Sequence, residues 1–208
     1  YAWSTSADGE YTEWKEGDIP VNAGNYFLKY IIKGTDNFVG AATSAVPFKV
    51  LRATVDTPTF ADGSAVYDGD PKTSTVSGYI ADRMTYTTDG VADDAVSGTT
   101  ITLTAKGYNE GGYYIQFTLI DPVNYTWFGS STDPEDADAQ PVCFEWAISK
   151  ADNEVLTTDT FDGWTFGEEA SATSDLGASA KYDGLDVTFA VYKAGEVGTG
   201  AEQIISNA

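Results

Sequence analysis

The sequence predicts an all-β protein made of tandem β-sandwich modules of about 100 residues each, arranged end to end. Three observations predict it. Short runs alternate apolar and polar residues between turns rich in Gly, Asn and Asp. No run carries the apolar period of an amphipathic helix. A distinctive glycine–tyrosine segment also recurs along the chain at the spacing of a whole domain.

The alternation is clearest in residues 26–33, where Tyr26, Leu28, Tyr30 and Ile32 share one face and Lys29 and Lys33 take the other. In residues 113–120, Tyr113, Ile115, Phe117 and Leu119 likewise oppose Gln116 and Thr118. Thr100-Ile101-Thr102-Leu103-Thr104 and Val187-Thr188-Phe189-Ala190-Val191 follow the same rule. Successive strand side chains point to opposite faces, so these patterns suit antiparallel sheets packed on one side and wet on the other.

The recurrence has two offsets. Gly24-Asn25-Tyr26-Phe27-Leu28-Lys29-Tyr30 matches Gly111-Gly112-Tyr113-Tyr114-Ile115-Gln116-Phe117, placing Tyr113 87 positions after Tyr26. The same offset pairs Asn22 with Asn109, Asn37 with Asn124 and Phe38 with Tyr125. Further on, Phe48-Lys49-Val50-Leu51-Arg52-Ala53 matches Trp146-Ala147-Ile148-Ser149-Lys150-Ala151 at an offset of 98. The second copy therefore carries 11 extra residues between Tyr125 and Trp146. A third copy is read after Ala151. Phe161-Asp162-Gly163-Trp164-Thr165-Phe166-Gly167 resembles residues 60–69, and Val187-Thr188-Phe189 answers Met84-Thr85-Tyr86. The expected division is residues 1–53 as the C-terminal half of one repeat, 54–151 as a complete repeat, and 152–208 as the N-terminal half of the next.

The matched strands share an approach, Asn22-Ala23-Gly24-Asn25-Tyr26-Phe27-Leu28 and Asn109-Glu110-Gly111-Gly112-Tyr113-Tyr114-Ile115. It resembles the D-x-G-x-Y-x-C approach to strand F of immunoglobulin domains, where the Tyr hydroxyl bonds back to upstream backbone and the residue two later enters the core. Leu28 and Ile115 stand at the cysteine position, which removes an antibody-type disulfide and leaves an aliphatic group to fill the same space. Tyr26, Leu28, Tyr113 and Ile115 are thus the expected corner and core residues. A longer series of motifs extends the resemblance: Trp164-Thr165-Phe166-Gly167-Glu168, Ala180-Lys181-Tyr182-Asp183-Gly184, Val187-Thr188-Phe189, residues 20–26, Gly34-Thr35-Asp36-Asn37-Phe38 and residues 48–53. In this order they look like the bacterial Ig-like tandem repeats of Gram-positive, gut Firmicutes-type cell-surface proteins. That resemblance implies immunoglobulin-like sandwiches, an extracellular location on a bacterial cell surface, and a role in spacing or displaying other domains. It implies adjacent Ig-like repeats, in the same or a neighbouring chain, as partners, and no catalytic residues.

Composition narrows function in the same direction. There are 32 acidic and 11 basic residues, a net charge of −21, which repels a phosphate backbone and argues against nucleic acid. No run is long and apolar enough to span a membrane. The chain has no histidine, so a Ser-His-Asp triad and imidazole metal sites are excluded, and no phosphate-binding glycine fingerprint occurs. No enzyme activity and no resident cofactor are expected. The lone thiol, Cys143, cannot close an internal disulfide and reads as a small buried hydrophobe in Val142-Cys143-Phe144-Glu145-Trp146.

Two local features suggest ligands. In residues 130–141, Asp133, Glu135, Asp136 and Asp138 offer oxygens to calcium, although the loop lacks EF-hand spacing and a solvated hairpin tip is the plainer reading. Trp14 and Trp127, together with Trp3 and Phe128, are candidates for stacking on a carbohydrate or host receptor. The repeats join without a Gly/Ser linker, through Arg52-Ala53-Thr54-Val55-Asp56 and Lys150-Ala151-Asp152-Asn153-Glu154, so a stiff rod is expected. The chain starts at Tyr1 rather than Met and is read as part of something longer. The alternative is a subunit whose tail completes the head of the next copy as a filament.

Overall fold

A computed structural model describes residues 1–137, 139–157, 178–180, 189–191 and 203–205. The chain divides into two units, Tyr1–Lys150 and Ala151–Ala208. Among the described residues every regular element is a strand, as the alternating runs require.

The first fifty residues supply β1 (Ala2–Ser4), β2 (Thr12–Glu13), β3 (Gly24–Lys29), β4 (Ile31–Ile32), β5 (Ala41–Ala42) and β6 (Val46–Val50). An antiparallel sheet runs β2-β1-β3-β6, and β4 and β5 form a separate hairpin. There follow β7 (Ala53–Val55), β8 (Thr59–Ala61), β9 (Ala65–Val66), β10 (Lys72–Ser77), β11 (Met84–Asp89) and β12 (Asp93–Ser97). The first unit closes with β13 (Thr100–Ala105), β14 (Tyr113–Leu119), β15 (Tyr125–Trp127), β16 (Val142–Trp146) and β17 (Ile148–Ser149). These build two antiparallel sheets, β12-β13-β10-β8 and β11-β14-β16, with short parallel pairs of β7 with β15 and β9 with β17. In the second unit, β18 (Val155–Thr157) pairs with β19 (Ala178–Ala180), and β20 (Phe189–Val191) with β21 (Gln203–Ile205). Of the third copy, the motifs at 161–168 and 181–188 lie outside the described residues.

The two sheets of residues 54–150 close on one core, in a β-sandwich-like arrangement. β13 sends Ile101, Leu103 and Ala105 inward and β10 adds Val76. From the other sheet come Met84 of β11, Tyr113, Ile115, Phe117 and Leu119 of β14, and Trp146 of β16. Each large side chain so buried is worth roughly 1.5–3 kcal/mol, enough to fix which face of each strand turns inward. Phe60 and Phe144, from opposite sheets, stack with centroids 5.3 Å apart.

The sequence offsets reappear as strand register. Tyr26 faces Phe48 across β3 and β6, and Tyr113 faces Trp146 across β14 and β16. Burial differs sharply between the two. Ile115, Phe117 and Leu119 are 0–4% exposed, whereas Leu28 is half-buried and Tyr30 and Ile32 are 57% and 70% exposed. The cause is the missing second layer: among the described residues no sheet like β12-β13-β10-β8 lies over β2-β1-β3-β6. Without that layer the alternating run also breaks, and β3 stops at Lys29 instead of continuing through Ile32.

One expectation is corrected. Cys143 is exposed, because Val142, Phe144 and Trp146 take the inward positions of β16 and strand alternation turns the residue between them to solvent.

This asymmetry sets a stability test. Ile115→Ala should lower unfolding free energy in a denaturant titration by about 3–4 kcal/mol, the range for a filled core position. Leu28→Ala, at its half-covered counterpart, should cost roughly 1 kcal/mol. Equal losses would contradict the difference in covering.

Candidate functional site

Polar side chains of the first fifty residues meet those of the sandwich at a junction of several hydrogen bonds. The construction begins with two tyrosine corners. Tyr113 is buried and its hydroxyl donates to the Gly107 carbonyl, while the Tyr26 hydroxyl donates to the Asn22 carbonyl at 2.9 Å. Each bond ties the start of its strand to the turn before it, so the phenol is satisfied while its ring fills the core side. In the second corner Gly112 has φ +73°, a conformation that disfavours side chains, and Asn109 Nδ2 donates to the Gly112 carbonyl at 2.7 Å.

Asn22, the counterpart of Asn109, points its carboxamide elsewhere. Its Oδ1 accepts from Asn124 Nδ2 at 3.1 Å, and the Ala23 N–H donates to Asn124 Oδ1 at 2.7 Å. Asn124 is held ready by Asp121, which accepts from the Asn124 backbone N–H at 3.1 Å and from Nδ2 at 2.8 Å. The Asn124 carbonyl accepts from the Ala53 N–H at 2.8 Å, starting the parallel β7–β15 pairing of Tyr125 with Ala53 and Trp127 with Val55. One asparagine thus joins a turn, a connecting segment and the sandwich.

The 11-residue insertion forms the other side of this junction. Arg52 is buried, its backbone N–H donates to the Thr132 carbonyl at 2.9 Å, and Nη1 donates to the Ala137 carbonyl at 3.2 Å. Lys49 Nζ lies 2.7 Å from Asp133 Oδ2 and 2.6 Å from Glu135 Oε2. The hydrogen bonds from Lys49 hold the Asp133 carboxyl below its ordinary range, and those to Asp133 and Glu135 push the Lys49 ammonium up. The Asp133 share is lost only as pH falls through its lowered value, and the Lys49 share only as pH rises through its raised one, so the pair persists across the neutral range. Being exposed, it is weakened by salt.

The calcium candidates therefore divide. Asp133 and Glu135 grip the protein's own cation, the Asp136 side chain accepts from Ser131 Oγ, and Asp138 lies outside the described residues. Among the described residues no three acidic or thiol side chains converge as a metal cage. The stacking candidates divide as well. Trp127 is 4% exposed with its indole N–H donating to the Gln140 carbonyl at 2.7 Å, which leaves no ring face for a sugar. Trp14 is half-buried on the first sheet, 5.5 Å from the Tyr1 ring and 6.2 Å from Phe48. Phe128 is 71% exposed, and Trp3 donates its indole N–H to the Asp18 carbonyl at 2.6 Å.

Sequence reasoning missed the junction residues Lys49, Arg52, Asp121 and Asn124. Two signals were available: the repeat pairs Asn124 with Asn37, and the insertion brings its acids to the one copy that follows a Lys49–Arg52 end. Scans against family models and searches of curated proteins and solved structures found no match to this chain.

Asn124→Ala should reduce unfolding free energy by about 2 kcal/mol, since several hydrogen bonds go at once. Hydrogen exchange should lose protection at the Ala23 amide while the Ala53 amide, bonded to backbone, stays protected. Millimolar calcium, against a chelator, should leave the thermal midpoint unchanged; an upward shift would restore the loop as a metal site.

Proposed function

We propose that this chain is a structural stalk or fibre segment of an extracellular bacterial surface protein, built from rigid tandem Ig-like modules and without catalytic activity. The observation that carries the reading is the junction: Arg52 and Ala53 pass from one sheet to the next with no free linker, and their backbone N–H groups are already bonded into the following sandwich. A flexible tether would leave those groups to water; a stiff spacer must satisfy them within the protein.

Strand order supports the module type. In chain order, β8, β10, β12 and β13 take the places of strands A, B, D and E, and β11, β14 and β16 those of C, F and G, in an immunoglobulin sandwich. The tyrosine corners sit at the start of the strand F equivalents, β3 and β14. The net charge of −21 suits a solvated, self-repelling rod. The uncovered sheet of the first fifty residues also supports polymerisation, in which strands from residues 152–208 of a neighbouring chain supply the missing layer. The aromatic group of Tyr1, Trp14 and Tyr30 on the first sheet favours a second reading, a carbohydrate- or receptor-binding adhesin module.

Spin labels test the stalk. With Cys143→Ser, labels at Ser44→Cys and Ser97→Cys should give one narrow distance distribution at neutral pH. Lys49→Ala combined with Arg52→Ala should broaden it, whereas acid, which removes only the exposed Lys49 pair, should leave it narrow. A broad distribution in the parent chain would defeat the rigid stalk.

A further inference from the structure

We propose that the hairpin tip at residues 34–40, centred on Asn37 and Phe38, is a docking surface for the Asn109–Glu110 corner of a second copy of this chain. The proposal rests on the stalk reading and names the contact that would extend it from one chain to the next.

Asn37 and Phe38 stand one repeat before Asn124 and Tyr125, the residues at the junction. In the junction, Asn124 receives the Ala23 N–H on Oδ1 and donates Nδ2 to Asn22. One repeat beyond Asn22 and Ala23 are Asn109 and Glu110. Both halves of a second such contact are therefore present in the chain, at positions not joined to each other.

The tip is already shaped. Thr35 N–H donates to the Phe38 carbonyl at 2.9 Å, Phe38 N–H returns to the Thr35 carbonyl at 3.3 Å, and Asn37 N–H meets Thr35 Oγ1 at 3.4 Å. The neck is tight, since a Cβ on Gly40 would lie 2.8 Å from the Gly34 nitrogen and the Ile32 carbonyl oxygen. Phe38 is 76% exposed and Val39 96% exposed, while the Phe38 counterpart Tyr125 packs against the sandwich core. The Asn37 carboxamide has no hydrogen-bond partner among the described residues, which leaves both its donor and its acceptor for another molecule.

The receiving corner is complementary. The exposed Glu110 stands at the sequence position of Ala23, and its backbone N–H has no acceptor among the described residues. Asn109 Oδ1 accepts one bond, from the Gly111 N–H at 3.3 Å, and an amide oxygen has room for a second. Docking would give Asn37 Oδ1 the Glu110 N–H and bring Asn37 Nδ2 to Asn109 Oδ1. It would also remove Phe38 and Val39 from water. Two copies of −21 charge repel, so the contact should strengthen with added salt, the opposite of an ionic interface.

Cross-linking tests it without disturbing the groups that bond. In a Cys143→Ser background, Asp36→Cys with Glu110→Cys should oxidise to a ladder of linked chains about ten-fold faster than a control with Asp36→Cys and Ser97→Cys. Adding Phe38→Ser to the first pair should cut that rate about five-fold, and raising salt should increase it. Equal rates for the two cysteine pairs, or chains that stay monomeric, would overturn the docking tip. The Ser44–Ser97 spin-label distance, measured in its own Cys143→Ser variant without the other two cysteines, separates the failures. Absent cross-links with a narrow distribution reject the docking tip alone, whereas a broad distribution rejects the stalk itself.

Discussion

A β-sheet can bury one face only if something is laid over it, and that constraint accounts for the largest contrast in this molecule. β14 and β3 carry the same alternating pattern, hold the same pinned tyrosine near their start and pair in the same register with equivalent later strands, β16 and β6. Yet Phe117 is sealed while Tyr30, its counterpart, is open to solvent, because β13 and β10 cover one sheet and nothing described covers the other. Local sequence set strand, turn and register; the second layer decided burial. The same constraint explains why the aromatic rings of the first sheet cluster on one another. Tyr26 stacks on Phe48 with centroids 5.6 Å apart, and Trp3 meets Tyr26 edge-on at 5.5 Å, so the rings recover part of the contact that a facing sheet would provide.

The parts of this fold that could be read from sequence were those fixed by near neighbours. The alternation in Thr100–Ala105 alone dictates its buried and half-buried faces. The paired glycine–tyrosine segments located both corners, down to the upstream backbone that the hydroxyls meet. Cys143 obeys the same rule: its apolar neighbours suggest burial, but its place between Val142 and Phe144 turns it to solvent. The junction was hidden for a different reason. Lys49 meets Asp133 across 84 positions of chain, and Ala23 meets Asn124 across 101. No periodicity connects groups so far apart; only the packing of whole sheets brings them together. Acidic residues at 133–136 therefore looked like a site for an external cation when the cation was already in the sequence.

The contacts at the junction differ in what they can withstand, and that difference decides which of them makes it stiff. The Lys49 pair is exposed, so salt screens it and acid removes it. The bonds from Arg52 N–H to Thr132 and from Ala53 N–H to Asn124 join backbone to backbone, and neither titrates. Each is worth about 1 kcal/mol net, but leaving such a group buried and unpaired costs more, so the segment cannot hinge there without exposing amides to water. Stiffness must then come from the backbone bonds and the buried Arg52, with Lys49 adjusting the fit. On that argument the insertion matters less for its charges than for its carbonyls: residues 132 and 137 offer acceptors to a buried arginine that the shorter first copy has no loop to supply.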